Sequence, residues 1–172
     1  MRTIKKSFYL AIAASLLISA GAAMADTINI AQSTPFSANA NVPPKVKSEC
    51  NLQTKLPGFI QTYAGKKGME INLVAQPVSS GSAGRNLVLE ISNVNAPGGG
   101  AWSGPKSVAV VGKLYQNGQL IGDFHGSRYT TGGAFGGFKG TCSLVGRCVK
   151  SLGKDISKWL KNPTKGASLG NG

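Results

Sequence analysis

The chain has 172 residues, with 19 Lys and Arg against six Asp and Glu, and a formal charge of +13 at pH 7. Its hydrophobic fraction of 41% excludes a disordered polyelectrolyte. Three cysteines without a CxxC pair, and a single histidine, argue against a structural zinc site, so neither a metal nor any other cofactor is expected.

At the start of the chain, Arg2, Lys5 and Lys6 precede an apolar run over residues 8–20, and Ala23-Met24-Ala25 has the small-x-small form of a cleavage site. A membrane span needs about 20 apolar residues, so this run is too short and fits a removable export signal over residues 1–25. The expected location is the bacterial periplasm, or the exterior, after cleavage following Ala25. Such cleavage removes three cations and no acid, leaving 147 residues and a charge of +10. That length suits one domain, expected over residues 26–162.

Residues 27–32 alternate and predict a short first strand; residues 33–46, with Pro35, Pro43 and Pro44, predict an extended loop. Thr54 is the predicted cap of a helix with Pro57 at its third position and Leu56, Phe59, Ile60 and Tyr63 on its apolar face. Gly65-Lys66-Lys67-Gly68 ends it. Residues 69–74 read as a half-buried strand and the more continuously apolar residues 86–94 as a central one.

After a glycine loop over residues 97–105, residues 107–116 and 119–131 flank Asn117-Gly118, the signature of a type I′ hairpin. With Gln116 opposite Gln119, the expected register places Leu114 against Ile121, Gly112 against Asp123 and Val110 against His125. One face then carries Val108, Val110, Leu114 and Ile121, and the other Ala109, Val111, Tyr115, Leu120 and Phe124. A glycine-rich crossover follows, with Phe135 and Phe138 expected to anchor it to the core.

Residues 141–161 form the last predicted helix, with Cys142, Val145, Val149, Leu152, Ile156 and Trp159 at steps of three and four. Asn162-Pro163 stops it, and residues 163–172 are expected to be a flexible tail. The resulting fold class is α+β: a mainly antiparallel sheet of four to five strands in the order β-α-β-β-β-β-α, with helices on one face.

Three cysteines in an oxidising compartment imply one disulfide and one free thiol. Cys142 and Cys148 on one helix lie about 9 Å apart along its axis, too far for a bridge. Cys50 is therefore expected to pair with one of them, preferably Cys142. A Cys142–Cys148 loop requires the helix to begin only near Val149.

Asp123, His125 and Ser127 alternate on one strand and supply an acid, a base and a hydroxyl. Side chains two residues apart on a strand stand about 6.5–7 Å apart, too far for the consecutive hydrogen bonds of a hydrolase triad. No nucleophile elbow accompanies Ser127. The glycine-rich segment 132–141 also lacks the spacing of a phosphate-binding loop, although free amides at a helix start can hold an anion.

Arg147, Lys150, Lys154, Lys158 and Lys161 follow steps of three and four and form a cationic stripe on the last helix, with Asp155 as its one acid. Trp102 lies in a glycine loop, where an aromatic either folds back on the sheet or meets a partner. These residues make the expected function that of an exported, non-catalytic binding or assembly module. Its expected partner is an anionic envelope component or an acidic protein, with peripheral membrane contact as a variant and nucleic acid disfavoured. Two alternatives are a small periplasmic hydrolase using His125 with Asp123 or Glu90, and a secreted cationic protein that binds membranes or nucleic acid.

Overall fold

The computed structural model describes residues 27–133 and 138–171, so the predicted export signal and Phe135 lie outside the described residues. The architecture is mixed α+β, with six strands in one sheet and three helices. The strands are β1 (Ile28–Ala31), β2 (Ile71–Val74), β3 (Arg85–Asn95), β4 (Lys106–Gln116), β5 (Gln119–Thr130) and β6 (Ala167–Gly170). The helices are α1 (Pro44–Glu49), α2 (Leu52–Gly65) and α3 (Thr141–Trp159).

The sheet order is β2-β1-β3-β4-β5-β6. Pairs β3–β4 and β4–β5 are antiparallel, whereas β1 pairs parallel with both β2 and β3, and β6 pairs parallel with β5. The expectation of a mainly antiparallel sheet of four to five strands is thus corrected to a mixed sheet of six. Both departures have a physical cause. The β1–α2–β2 crossover forces parallel pairing, because a connection that runs through a helix returns the chain to the same end of the sheet.

The expected flexible tail is also corrected, since its last part is strand β6. Thr164 anchors the return: its carbonyl accepts hydrogen bonds from Trp159 Nε1 (3.3 Å) and from the amide of Asp123 (3.2 Å). Phe124 to Ser127 then pair with Ala167 to Gly170.

Two further corrections concern the helices. Helix α1, Pro44–Glu49, begins in the last three residues of the segment expected to be an extended loop, with a proline at its first position where no amide is needed. Helix α2 begins at Leu52, after Asn51 in a left-handed conformation (φ 51°), so Pro57 lies inside the helix and not at its third position. A proline there leaves the carbonyl four residues back without its donor. That carbonyl, of Gln53, accepts instead from the amide of Thr34 at 2.9 Å, which explains how the helix tolerates the residue.

The hairpin turn is as its sequence specifies, with Asn117 at φ 49° and Gly118 at φ 85°, and Gln116 opposite Gln119. The register then slips by one at Ile121. Leu114 meets Gly122, Gly112 meets Phe124, Val111 meets His125 and Val110 meets Gly126. This bulge corrects the expected pairing and moves Phe124 to the helix-covered face. Burial decides it: Gly122, Phe124 and Gly126 are all buried, and a Cβ on Gly122 would stand 2.8 Å from the indole of Trp159. The Phe124 and Trp159 rings meet edge to face at 4.9 Å.

Helices α2 and α3 pack on each other and cover this face of the sheet. Ile28, Ile30, Leu56, Ile60, Leu87, Ile91, Val108, Val110, Leu114, Val149, Leu152 and Ile156 form the fully buried core between the two layers. On the opposite face an asparagine row crosses three strands, Asn72 to Asn29 (3.0 Å) and Asn29 to Asn86 (3.2 Å). Asn86 in turn donates to the carbonyl of Ser82 (2.7 Å) and so holds a loop against that face.

Candidate functional site

Helix α3 is sharply two-sided. Leu144, Val145, Cys148, Val149, Leu152, Ile156 and Trp159 are buried, while Arg147, Lys150, Lys154 and Lys158, with Lys161 just beyond the helix, are exposed. Helical periodicity produces both stripes, because residues three and four apart share a face. All five cations singled out from the sequence therefore lie on one solvent-facing surface.

The one acid of the helix does not neutralise them. Asp155 accepts both arms of the Arg128 guanidinium, at 2.7 Å from Nε and 2.9 Å from Nη2, between α3 and β5. A bidentate pair of this kind holds both groups in one geometry. The Asp155 carboxylate raises the pKa of Arg128, and partial burial opposes it. Among the described residues, Arg128–Asp155 is the ion pair on this helix, and Lys150, Lys154, Lys158 and Lys161 face solvent without an acid at contact distance.

Arg147 is partly engaged: its Nη1 donates to the carbonyl of Gly132 at 3.1 Å. Lys139 Nζ donates to the same oxygen at 2.9 Å, so two cations converge on the loop that enters α3.

Trp102 does not fold back on the sheet. It sits on a 3-10 turn over Gly100–Ser103 and is 84% exposed. Polar contacts hold this turn in place. The amide of Gly100 donates to Thr141 Oγ1 at 3.3 Å, at the start of α3. Lys106, itself fully buried, donates from Nζ to Ser103 Oγ (2.8 Å) and to the carbonyl of Gly104 (3.0 Å). Burial lowers the pKa of this lysine.

Phe138, expected as a core anchor, is 92% exposed, and Tyr129 is 56% exposed. The anchoring expectation for Phe138 is corrected: its ring faces solvent, while Lys139 and Arg147 hold the carbonyl of Gly132 by polar contacts.

Cys50 and Cys142 form the disulfide, as preferred from the sequence, with 4.9 Å between their Cα atoms. The bridge ties α1 to the start of α3. Beside it, a cleft of about 750 Å³ opens between Pro44, Glu49, Ala96, Gly99 and Thr141. Cys148 is free and buried, and burial pushes its thiol pKa up to about 11. A buried thiol kept protonated in this way is a poor nucleophile.

Asp123, His125 and Ser127 project from the open face of the sheet, with His125 exposed and no hydrogen bond joining the three. Glu90 lies in the same cross-strand row as His125, but Val111 of β4 stands between them, which separates the pair by about 9–10 Å at ordinary strand spacing. Glu90 is engaged elsewhere and accepts from Ser37 Oγ at 2.6 Å. The geometry thus brings together neither hydrolase pair. Among the described residues there is no group of three His, Cys, Asp or Glu that could hold a metal ion, and no helix is long and apolar enough to cross a membrane.

Sequence reasoning missed the Arg128–Asp155 clamp, the buried Lys106 and the exposure of Phe138. The isolation of Asp155 within a basic stripe was a usable signal for the first. Lys106 carried none, since a lysine at the start of a strand reads as an exposed edge residue.

No protein-family model matches the chain, and no curated protein matches it in sequence. Among solved structures, a PelC dodecamer from Paraburkholderia phytofirmans is similar at 11% identity and a TM-score of 0.45, over 75% of this chain and 86% of that one. A single-substitution variant of that dodecamer gives 13% identity and a TM-score of 0.45, over 75% and 84%. At such identity and score the likeness says nothing of this chain's activity or assembly.

Proposed function

We propose that the protein is an exported, non-catalytic binding module that contacts an anionic component of the cell envelope through the exposed face of α3. One observation carries this reading: the sole acid of the helix is clamped by Arg128 between α3 and β5, while four lysines face solvent with no acidic side chain among the described residues at contact distance. A surface of like charges repels itself and destabilises the fold, so a cationic row left unneutralised is best matched by an anionic partner. The Cys50–Cys142 disulfide fits the oxidising compartment that an export signal implies.

The test is the fractionation of cells expressing the protein with its own leader. The wild type is expected to stay with the envelope fraction at about 0.15 M salt and to be released near 1 M, as surface electrostatics weaken over a Debye length of about 8 Å and then about 3 Å. The K150E/K154E/K158E variant is expected in the soluble exported fraction at both. Retention of that variant with the envelope at the lower salt contradicts the reading.

A further inference from the structure

Trp102, Tyr129 and Phe138 are the large hydrophobic side chains that the described residues leave exposed. They come from three separate segments, yet the fold gathers those segments at one end of the molecule. Gly100, two residues before Trp102, lies against the backbone of Lys139, where a Cβ would stand 2.5 Å from the Lys139 carbonyl oxygen. Phe138 immediately precedes that lysine. Tyr129 is paired with Ser107 at the same end of the β4–β5 ladder, next to the Lys106–Thr130 pair. β6 pairs β5 only as far as Ser127, so Tyr129 stands beyond the covered part of the strand.

Cations lie near this end. Lys139 and Arg147 are tied to the carbonyl of Gly132, Lys150 follows one turn along α3, and Lys45 lines the cleft beside the disulfide. Glu49 is the acid of the neighbouring cleft. Two exposed rings on anchored backbone, set among cations, suit neither a folded core nor a free water surface. Aromatic side chains favour the boundary between headgroups and acyl chains, and basic side chains favour an anionic leaflet.

We infer that this end docks on the surface of an anionic phospholipid bilayer, with Trp102 and Phe138 entering the interfacial layer and the first turns of α3 supplying the charge attraction. The inference rests on the reading of α3 as the contact face, and it names the partner. The buried Lys106 pre-organises the contact, because it holds the turn that presents Trp102 before any lipid arrives. Lys158 lies about 16 Å beyond Arg147 along the helix, outside a Debye length of about 8 Å at physiological salt, if the protein stands on this end. Lys150 is therefore expected to matter more than Lys158.

The protein, expressed with its own leader and purified as processed, is sedimented with vesicles of phosphatidylcholine alone or with about one-third phosphatidylglycerol. Binding is expected only to the anionic vesicles, with Trp102 emission shifted to the blue and quenched by lipid brominated near the headgroup. Trp159, 7% exposed, is expected to remain unquenched in W102F. The W102S/F138S variant is expected to bind about tenfold or more weakly with an unchanged circular dichroism spectrum, and K150E more weakly than K158E. Binding unaffected by W102S/F138S and without an emission shift overturns the inference and leaves the cationic reading standing. So does indifference to vesicles together with salt-sensitive binding to an acidic protein. Binding to none of these, by a protein that is still folded, overturns both.

Discussion

Gly153 and Gly146 occupy the same helix, and the structure requires opposite outcomes when each is replaced by alanine. At Gly146 a Cβ meets nothing within 4 Å. The substitution there recovers helix propensity and backbone entropy, and G146A is expected to stabilise the fold by about 0.5–1 kcal/mol. At Gly153, α2 and α3 cross: a Cβ would stand 2.7 Å from Phe59 Cβ, 3.1 Å from the Phe59 carbonyl carbon and 3.2 Å from the Ile60 amide nitrogen. None of these atoms can rotate away, so the helices must separate. The same crossing holds the 3.1 Å hydrogen bond from Ser157 Oγ to the Ile60 carbonyl. Overpacking costs about 1–3 kcal/mol and a weakened buried hydrogen bond about 1 kcal/mol, against a propensity gain of about 1 kcal/mol. G153A should therefore lose about 2 kcal/mol net, or roughly 4–8 °C in Tm for a domain near 150 residues. Urea unfolding of the disulfide-intact protein, monitored by circular dichroism, measures both. If G153A is as stable as G146A, the close contact between the two helices is refuted.

Other consequences are open to measurement. Removing the Cys50–Cys142 bridge in C50A/C142A opens a loop with a sequence separation of 92, and loop-closure entropy gives a loss of about 4–5 kcal/mol in the unfolding free energy; a loss below about 1 kcal/mol contradicts it. Cys148 should resist iodoacetamide at pH 8 in the folded protein and react once it is unfolded, as counted by intact mass. Because folding raises its pKa from 9.0 to about 11, its contribution to stability is complete below pH 9 and is lost as pH rises towards 11. D155A leaves the Arg128 guanidinium half-buried without its partner; a partly exposed pair is worth about 1 kcal/mol after solvent screening, so a modest fall in Tm is expected while the charge of the exposed stripe is unchanged.

Most elements were legible in the sequence because their periodicity is strong. The apolar and basic stripes of α3 both follow steps of three and four, and the Asn117-Gly118 turn fixes the start of its hairpin. The failures have local causes. The bulge at Ile121 depends on Trp159 and the returning tail, which demand glycine at position 122 and are distant in sequence from the turn. The early start of α2 depends on Thr34 supplying a donor to Gln53, a contact that no local pattern encodes. Strand β6 is four residues long, with Gly170 at its end and only Leu169 as a large apolar member, so pattern alone could not lift it from a tail. For the candidate surface, the five cations were identifiable from spacing, whereas the exposure of Trp102 and Phe138 and the sequestration of Asp155 are tertiary facts.

The contact surface itself is tested most directly by photo-cross-linking in intact cells, with a photoreactive residue placed at Ser151, among the lysines of α3, or at His125, on the open face of the sheet. Adducts are expected from position 151, to be lost when K150E/K154E/K158E is introduced, and to be absent from position 125. Equal adducts from both positions, or adducts at 151 that survive the charge reversal, would contradict a cationic helix face as the place where this protein meets its partner.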